Sequence, residues 1–238
     1  MHQQHTSMKV CTDACLFGAW VSQKQVVQNA TKILDIGAGT GLLSLMMGQV
    51  TETSKASITA IEIEAHAAAE ANSNFELSNW KDRMELLTDS IQNFTKVIRH
   101  SNEQVDKTFD LIITNPPFFE GDLKSPDVNK NKAAHSTELP WSVLIENIAQ
   151  LLSPTGSFFV LVPTLRAYTM QKLADAQQLH LVEEVLVYND AKHLPFRAML
   201  HFQRNKTEVL RNKLIIKDAE NNYTPEFTNL LKDYYLHL

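Results

Sequence analysis

Cysteine is almost absent from this 238-residue chain: the two present, Cys11 and Cys15, are too few for a disulfide framework and lack the spacing of a zinc site. The setting expected is a reducing compartment, with both thiols serving as small buried side chains. The opening MHQQHTSMKV has no basic segment followed by an apolar one, and no run reaches the roughly 20 apolar residues that span a bilayer. A cytoplasmic protein without membrane contact is expected. Internal repeats, low-complexity tracts and Gly/Ser linkers are also missing. The nine histidines form no H-x-x-x-H or comparable cluster, which argues against a metal site. Hydrophobic residues at 44% and charged residues at 21% lie near globular averages, which excludes a disordered or fibrous chain.

What the chain does have is alternation. Short apolar runs, KILDIG (32–37), SITAIEI (57–63), RMELLTD (83–89), FDLIIT (109–114), SFFVLVP (157–163) and LVEEVLVY (181–188), read as strands. Between them GLLSLMMGQV, AHAAAEANSNFEL, PWSVLIENIAQLL and TLRAYTMQKLADAQQ carry Ala, Leu, Met and Gln at helical spacing. Strand and helix in turn predict an α/β domain with a mostly parallel sheet covered on both faces. FRAMLHFQ and NKLIIKD follow with no helix between them, which favours an antiparallel pair, and PEFTNLLKDYYLHL closes as an amphipathic helix. CTDACLFGAWVSQ fits a leading helix whose Leu16, Ala19 and Trp20 form an apolar face. The expectation is one domain over 1–238: a helical lead (1–30), a sheet core (31–203), and a C-terminal strand and helix (204–238).

The first chemical signal is LDIGAGTG, where Gly37, Gly39 and Gly41 follow an apolar strand and open a helix. Glycine lets the backbone turn sharply and approach a ligand without interference from Cβ. The dinucleotide spacing G-x-G-x-x-G would need Gly at 42, where Leu stands, so a pyrophosphate ligand is disfavoured. G-x-G-x-G with Asp35 before it suits a nucleoside ligand, although glycines also mark ordinary strand-to-helix turns. Glu62 ends the second strand about twenty residues on, where an acid can accept both hydroxyls of a ribose. Asp89 ends the third, as a ligand contact or as a helix N-cap.

The fourth strand breaks in FDLIITNPPFF. Pro116 and Pro117 have fixed φ and no N–H, so the loop carbonyls are held outward as acceptors. The Asn115 amide oxygen and the Pro116 carbonyl can then accept both hydrogens of one planar –NH2 group, while Phe118 stacks on its ring and Phe119 stands in the wall. Such an amine is a poor nucleophile because its lone pair is delocalised, and two acceptors favour the pyramidal form that attacks. No prior deprotonation is needed, in keeping with the lack of an obvious catalytic Lys or His. The polar stretch that follows, with His135, reads equally as a loop over the substrate or as a plain exposed loop.

On these residues the chain resembles the class I S-adenosylmethionine-dependent methyltransferases, with NPPF similar to the motif of those that act on planar nitrogens. MKVCTDACLFGAW, LDIGAGTGLLSLMM, IEIEAHAAAEANSN, FDLIITNPPFF and HLPFRAMLHF together resemble the tRNA1(Val) (adenine-37 N6)-methyltransferase family, which methylates the adenine 3′ to the anticodon. The family usually has Gly where Cys11 stands. The resemblance implies a Rossmann-like, seven-stranded sheet with its last strand antiparallel and S-adenosyl-L-methionine as cofactor. It also implies Asp35, Gly37 and Glu62 around the cofactor, Asp89 at its adenine, and Asn115 with Pro116 at the target amine. Thr12 and Asp13 match too, reaching the cofactor from the leading helix or capping that helix. Aligning nitrogen, methyl carbon and sulfur would supply on the order of 7 to 11 kcal/mol.

Rival readings are weaker on the same residues. A release-factor glutamine methyltransferase uses Asn-Pro-Pro but carries a helical domain before its glycine turn, and a DNA adenine methyltransferase carries an added target-recognition region. A nicotinamide dehydrogenase is disfavoured by the glycine spacing, and a non-catalytic RNA-binding member would lose the Asn or the glycines. RNA is an unexpected partner for a net charge of −5. Yet residues 192–217 hold Lys192, Arg197, Arg204, Lys206, Arg211, Lys213 and Lys217 against Glu208 alone, +6 beside −11 for the rest. Local sign governs docking within a screening length of about 8 Å. That segment is the expected grip on tRNA phosphates beside the crevice, with a solvated basic face as the alternative; no obligate protein partner is evident.

Overall fold

The alternation along the chain becomes one sheet with helices on both faces. The computed structural model describes residues 11–100, 108–116 and 139–235. Among them the strands are β1 (Lys32–Ile36), β2 (Ser57–Glu62), β3 (Met84–Thr88), β4 (Phe109–Thr114), β5 (Leu152–Pro163), β6 (His180–Tyr188), β7 (Arg197–Gln203) and β8 (Leu210–Ile215). They lie in the order β3-β2-β1-β4-β5-β7-β6-β8. The helices are α1 (Thr12–Ser22), α2 (Gln25–Gln28), α3 (Leu42–Val50), α4 (Ala65–Glu76), α5 (Ile91–His100), α6 (Trp141–Leu151), α7 (Ala167–Ala176) and α8 (Pro225–Leu231).

Side-chain alternation along each strand sorts the core into two layers. Ile33, Ile58, Leu111, Ile113, Phe159, Leu161 and Met199 face a cluster built with α1, α3 and α8. Leu34, Ile36, Ile112, Phe158, Val160, Leu200 and Phe202 face α5, α6 and α7. Burial on both sides is why these strands read as continuous apolar runs. Phe159 sits between Trp20, edge-on at 5.5 Å, and the ring of His201, stacked at 4.1 Å. Burial holds the His201 imidazole neutral by lowering its pKa to about 3.

Four expectations need correction. The sheet has eight strands, not seven, although its seventh is antiparallel to both neighbours as expected. β8 does not pair with β7: β7 already has β5 and β6 on its two sides, so β8 takes the free edge of β6 and runs parallel to it. α1 is buried from Ala14 to Ser22 rather than along one stripe, because it is packed among α3, α8 and β5. Cys15 is buried but Cys11, at the start of that helix, is exposed.

The basic segment is also divided by the fold. β7 carries Arg197 beside Pro163, at the carboxyl end of β5, and Gln203 beside His180, at the amino end of β6. At about 3.3 Å per residue, the two ends of β7 are roughly 20 Å apart. Arg204 therefore lies at the far edge, where its Nη2 donates to the carbonyls of Ala149 (2.6 Å) and Leu152 (3.3 Å) at the end of α6. Arg211 pairs with Glu184 at 3.3 Å. Arg204 and Lys206 are thus not a grip beside Asn115. Cationic hydrogen bonds to a helix C-terminus typically contribute about 1.5 to 3 kcal/mol. Arg204→Ala should lower stability by about that much in denaturant unfolding, while Lys206→Ala, at an exposed position, stays within about 0.5 kcal/mol of the parent.

Candidate active site

Strand order reverses between β1 and β4, where an open parallel sheet leaves a crevice at its carboxyl edge. Both ends of this pair are clamped. At the amino end the Asp110 carboxylate accepts from the Thr31 hydroxyl (2.7 Å) and from the Thr31 and Lys32 amides (2.9 and 3.1 Å). At the carboxyl end the Thr114 hydroxyl donates to the Ile36 carbonyl at 2.7 Å, deep in the protein. Gly37 and Asn115 are the next residues on each strand, so the glycine turn and the Asn-Pro break leave the sheet side by side.

The turn is held from β2. Gly37 and Ala38 amides donate to the Ile61 carbonyl (2.8 and 3.1 Å), and the Gly39 amide donates to Glu62 Oε2 at 2.9 Å. Glu62 Oε1 accepts from the Glu64 amide at 2.9 Å, so both oxygens of this buried carboxylate shape the turn. The Glu62 carbonyl accepts the Asp89 amide at 3.1 Å, which extends the chain of bonds to β3. Gly37 and Gly41 have φ of +74° and +78°, a region that side chains disfavour. A Cβ on Gly41 would lie 2.5 Å from Phe75 of α4, whereas one on Gly37 would meet nothing within 4 Å and would fill open space over the turn.

Asp35 differs from its expected role at the cofactor. It is fully buried on β1, and its Oδ2 accepts from the Ser44 amide (3.0 Å) and hydroxyl (2.7 Å), which fixes α3 against the strand. Oδ1 has no partner among the described residues. Burial raises its pKa to about 6, against the lowering effect of the two Ser44 bonds. Asp89 is not the N-cap: Ser90 is, its hydroxyl accepting from the Asn93 amide at 3.2 Å ahead of α5. Asp89 accepts from the Ser90 amide and the Asn93 side chain, both at 2.7 Å.

Asn115 is half-buried, Pro116 is buried, and the Asn115 Oδ1 atom is buried without a hydrogen-bond partner among the described residues. Pro117, Phe118, Phe119 and His135 lie outside the described residues. Thr12 and Asp13 come to the same edge from α1, but neither is its N-cap, which is Cys11. Asp13 is engaged by Arg197 Nε at 2.9 Å. Of the basic segment, Lys192, Arg197 and Lys217 lie at this edge. Ile63, expected within the second strand, instead follows its end at Glu62 and is 71% exposed. No cluster of metal-ligating side chains occurs among the described residues, and none of their helices is long and apolar enough to cross a membrane.

Residues 19–184 match the family described as Methyltransferase small domain. The tRNA1(Val) (adenine(37)-N6)-methyltransferase of Trichodesmium erythraeum is 36% identical over 99% of this chain and 94% of its own. That of Dyadobacter fermentans is 38% identical over 99% and 94%. The chain belongs to the tRNA1(Val) (adenine(37)-N6)-methyltransferase family. In fold, this family member is similar to the crystal structure of a predicted O-methyltransferase from Agrobacterium tumefaciens, with a TM-score of 0.66 and 16% identity over 92% of this chain and 95% of that one. S-adenosylmethionine is the methyl donor of such enzymes. The residues present fit it: the space over Gly37 admits a ligand against the backbone, and Glu62 keeps lone pairs for a ligand's hydroxyls after accepting from the Gly39 and Glu64 amides.

Because folding raises the Asp35 pKa from 3.8 to about 6, its contribution to stability is fully present below about pH 4 and is lost as pH rises through about 6. Asp35→Asn keeps an oxygen for Ser44 and removes the titration. Without cofactor, the parent should lose about 3 kcal/mol relative to this variant between pH 4 and pH 7; parallel stability curves in urea would refute the assignment.

Proposed function

We propose that this protein methylates N6 of an adenine in tRNA, position 37 of tRNA1(Val) as its relatives' names state, in the cytoplasm. The observation that carries the reading is the buried Asn115 oxygen, without a donor among the described residues, one residue past the bond that joins β4 to β1. A buried acceptor left unpaired costs about 1 to 3 kcal/mol, a cost that a target amine relieves. Asn115 Oδ1 and the Pro116 carbonyl accept the two amine hydrogens and turn the nitrogen lone pair out of the ring plane. Phe118 is the proposed platform for the base, which must leave its stack to be reached.

When bound, S-adenosylmethionine supplies a methyl group on a sulfonium, already electrophilic. Around it, backbone groups of Gly37, Gly39 and Gly41 line the approach, and Glu62 has lone pairs left for ribose hydroxyls after binding two backbone amides. Asp89 is assigned to the adenine side, with Ile63 as an apolar neighbour. Asp35 acts from behind the turn by fixing α3, and Asp13 with Thr12 closes the α1 side through Arg197. Lys192, Arg197 and Lys217 replace the whole 192–217 segment as the proposed phosphate contacts. After transfer the proton leaves to water.

Glu62→Ala should weaken cofactor binding, measured by calorimetry, because it removes both the acceptors and the anchor of the Gly39 amide. Asn115→Ala should keep cofactor affinity yet lower single-turnover methylation by about 10²- to 10³-fold, the usual loss for a preorganised polar group. Labelled S-adenosylmethionine offered with tRNA, rRNA, DNA and protein, followed by nucleoside digestion, decides the acceptor. N6-methyladenosine in tRNA is expected; labelled protein beside unlabelled tRNA would instead favour a glutamine acceptor.

A further inference from the structure

Large apolar side chains are exposed together beside the proposed target site. Leu165 is 92% exposed, Leu194 88% and Tyr168 67%. Leu165 belongs to the 3-10 turn Thr164–Arg166 that follows β5 and leads into α7, and Leu194 to the loop between β6 and β7. The two segments abut, since Pro163 pairs with Arg197 and the Thr164 amide donates to the Phe196 carbonyl at 3.3 Å. Their height matters. Thr114 is level with Val160, so β5 continues three residues past the end of β4, about 10 Å, and lifts the turn into a wall beside Asn115.

This wall carries charge of the right sign for RNA. Leu165, Tyr168 and Lys172 follow one another at spacings of three and four, one stripe on the helical surface. Lys172 Nζ lies 4.6 Å from the Tyr168 ring centroid. Lys192 is exposed in the same loop as Leu194. The acid of that loop, Asp190, is taken up by the His193 ring (2.8 Å) and by the Lys192 and His193 amides. Apolar and aromatic surfaces interleaved with lysines bind unpaired nucleotides, whose bases stack while their phosphates meet the cations.

We propose that this wall receives the unstacked nucleotides flanking the target adenine, with Leu165, Tyr168 and Leu194 against bases and Lys172 and Lys192 against phosphates. The inference rests on the reading of RNA as the acceptor at Asn115. It explains how an acidic protein holds RNA: the strand is gripped at one edge of the sheet, by stacking as much as by charge.

The test uses the full chain and a tRNA transcript or its anticodon stem-loop. The double variant Leu165→Ser, Leu194→Ser should raise the KM for RNA by roughly 10- to 100-fold, with cofactor affinity and thermal unfolding unchanged because both side chains are exposed. Tyr168→Ala should do the same in smaller measure, and Tyr168→Phe should restore the parent value, which a merely structural role for the hydroxyl would not. A photoreactive side chain at position 165 should cross-link a nucleotide beside the target adenine. If the parent methylates RNA but the double variant has an unchanged KM, or position 165 cross-links only the stem or another protein, the wall is not the docking surface. A parent that methylates no RNA overturns the acceptor reading and this inference together.

Discussion

The bond from the Thr114 hydroxyl to the Ile36 carbonyl joins the two strands between which the sheet reverses its order. Among the described residues, α3 follows β1 on one face of the sheet and α6 follows β4 on the other, and the glycine turn at this edge is held from the sheet below. Thr114 does this on one side. On the other, Ile61 and Glu62 accept successive amides of the glycine turn. The result is a crevice whose floor is fixed before a ligand arrives, so that little conformational freedom is left to lose on binding.

Rigidity here is obtained at some cost in stability. Among the described residues, Asp35 is a carboxyl group sealed in the core with one oxygen unpartnered, and Asn115 presents a second buried acceptor without a donor. A core optimised for stability alone would hold neither. Asp35 lies under the glycine turn and Asn115 at the end of β4, both at the carboxyl edge of the sheet. The opposite edge of the sheet has the reverse character, with Asp110 and Arg204 satisfying backbone amides and carbonyls. One edge is closed by its polar groups and the other is left chemically open.

LDIGAGTG, the acid ending β2 and the Asn-Pro break were legible because each is a local device: conformation, charge and terminus lie within a few residues of one another. The basic segment was not. Arg197 and Arg204 are seven positions apart in a stretch that reads as one charged surface, yet a strand separates them by the height of the sheet, and both meet partners remote in sequence, Asp13 and the end of α6. Leu165 and Leu194 were unreadable for the converse reason. An isolated leucine in a turn looks like core until the fold shows that nothing covers it.

The sequence alone determined the α/β alternation, the nucleoside-type glycine turn and the planar-nitrogen motif, since periodicity, φ preference and proline geometry act over short range. Only the tertiary structure decided that β8 runs parallel along β6, that Asp35 is turned to Ser44, and which cations of the basic segment reach the carboxyl edge of the sheet. Those outcomes depend on which strand edges are already paired and which end of a strand a residue reaches. Such facts belong to the assembled sheet and to no segment of it.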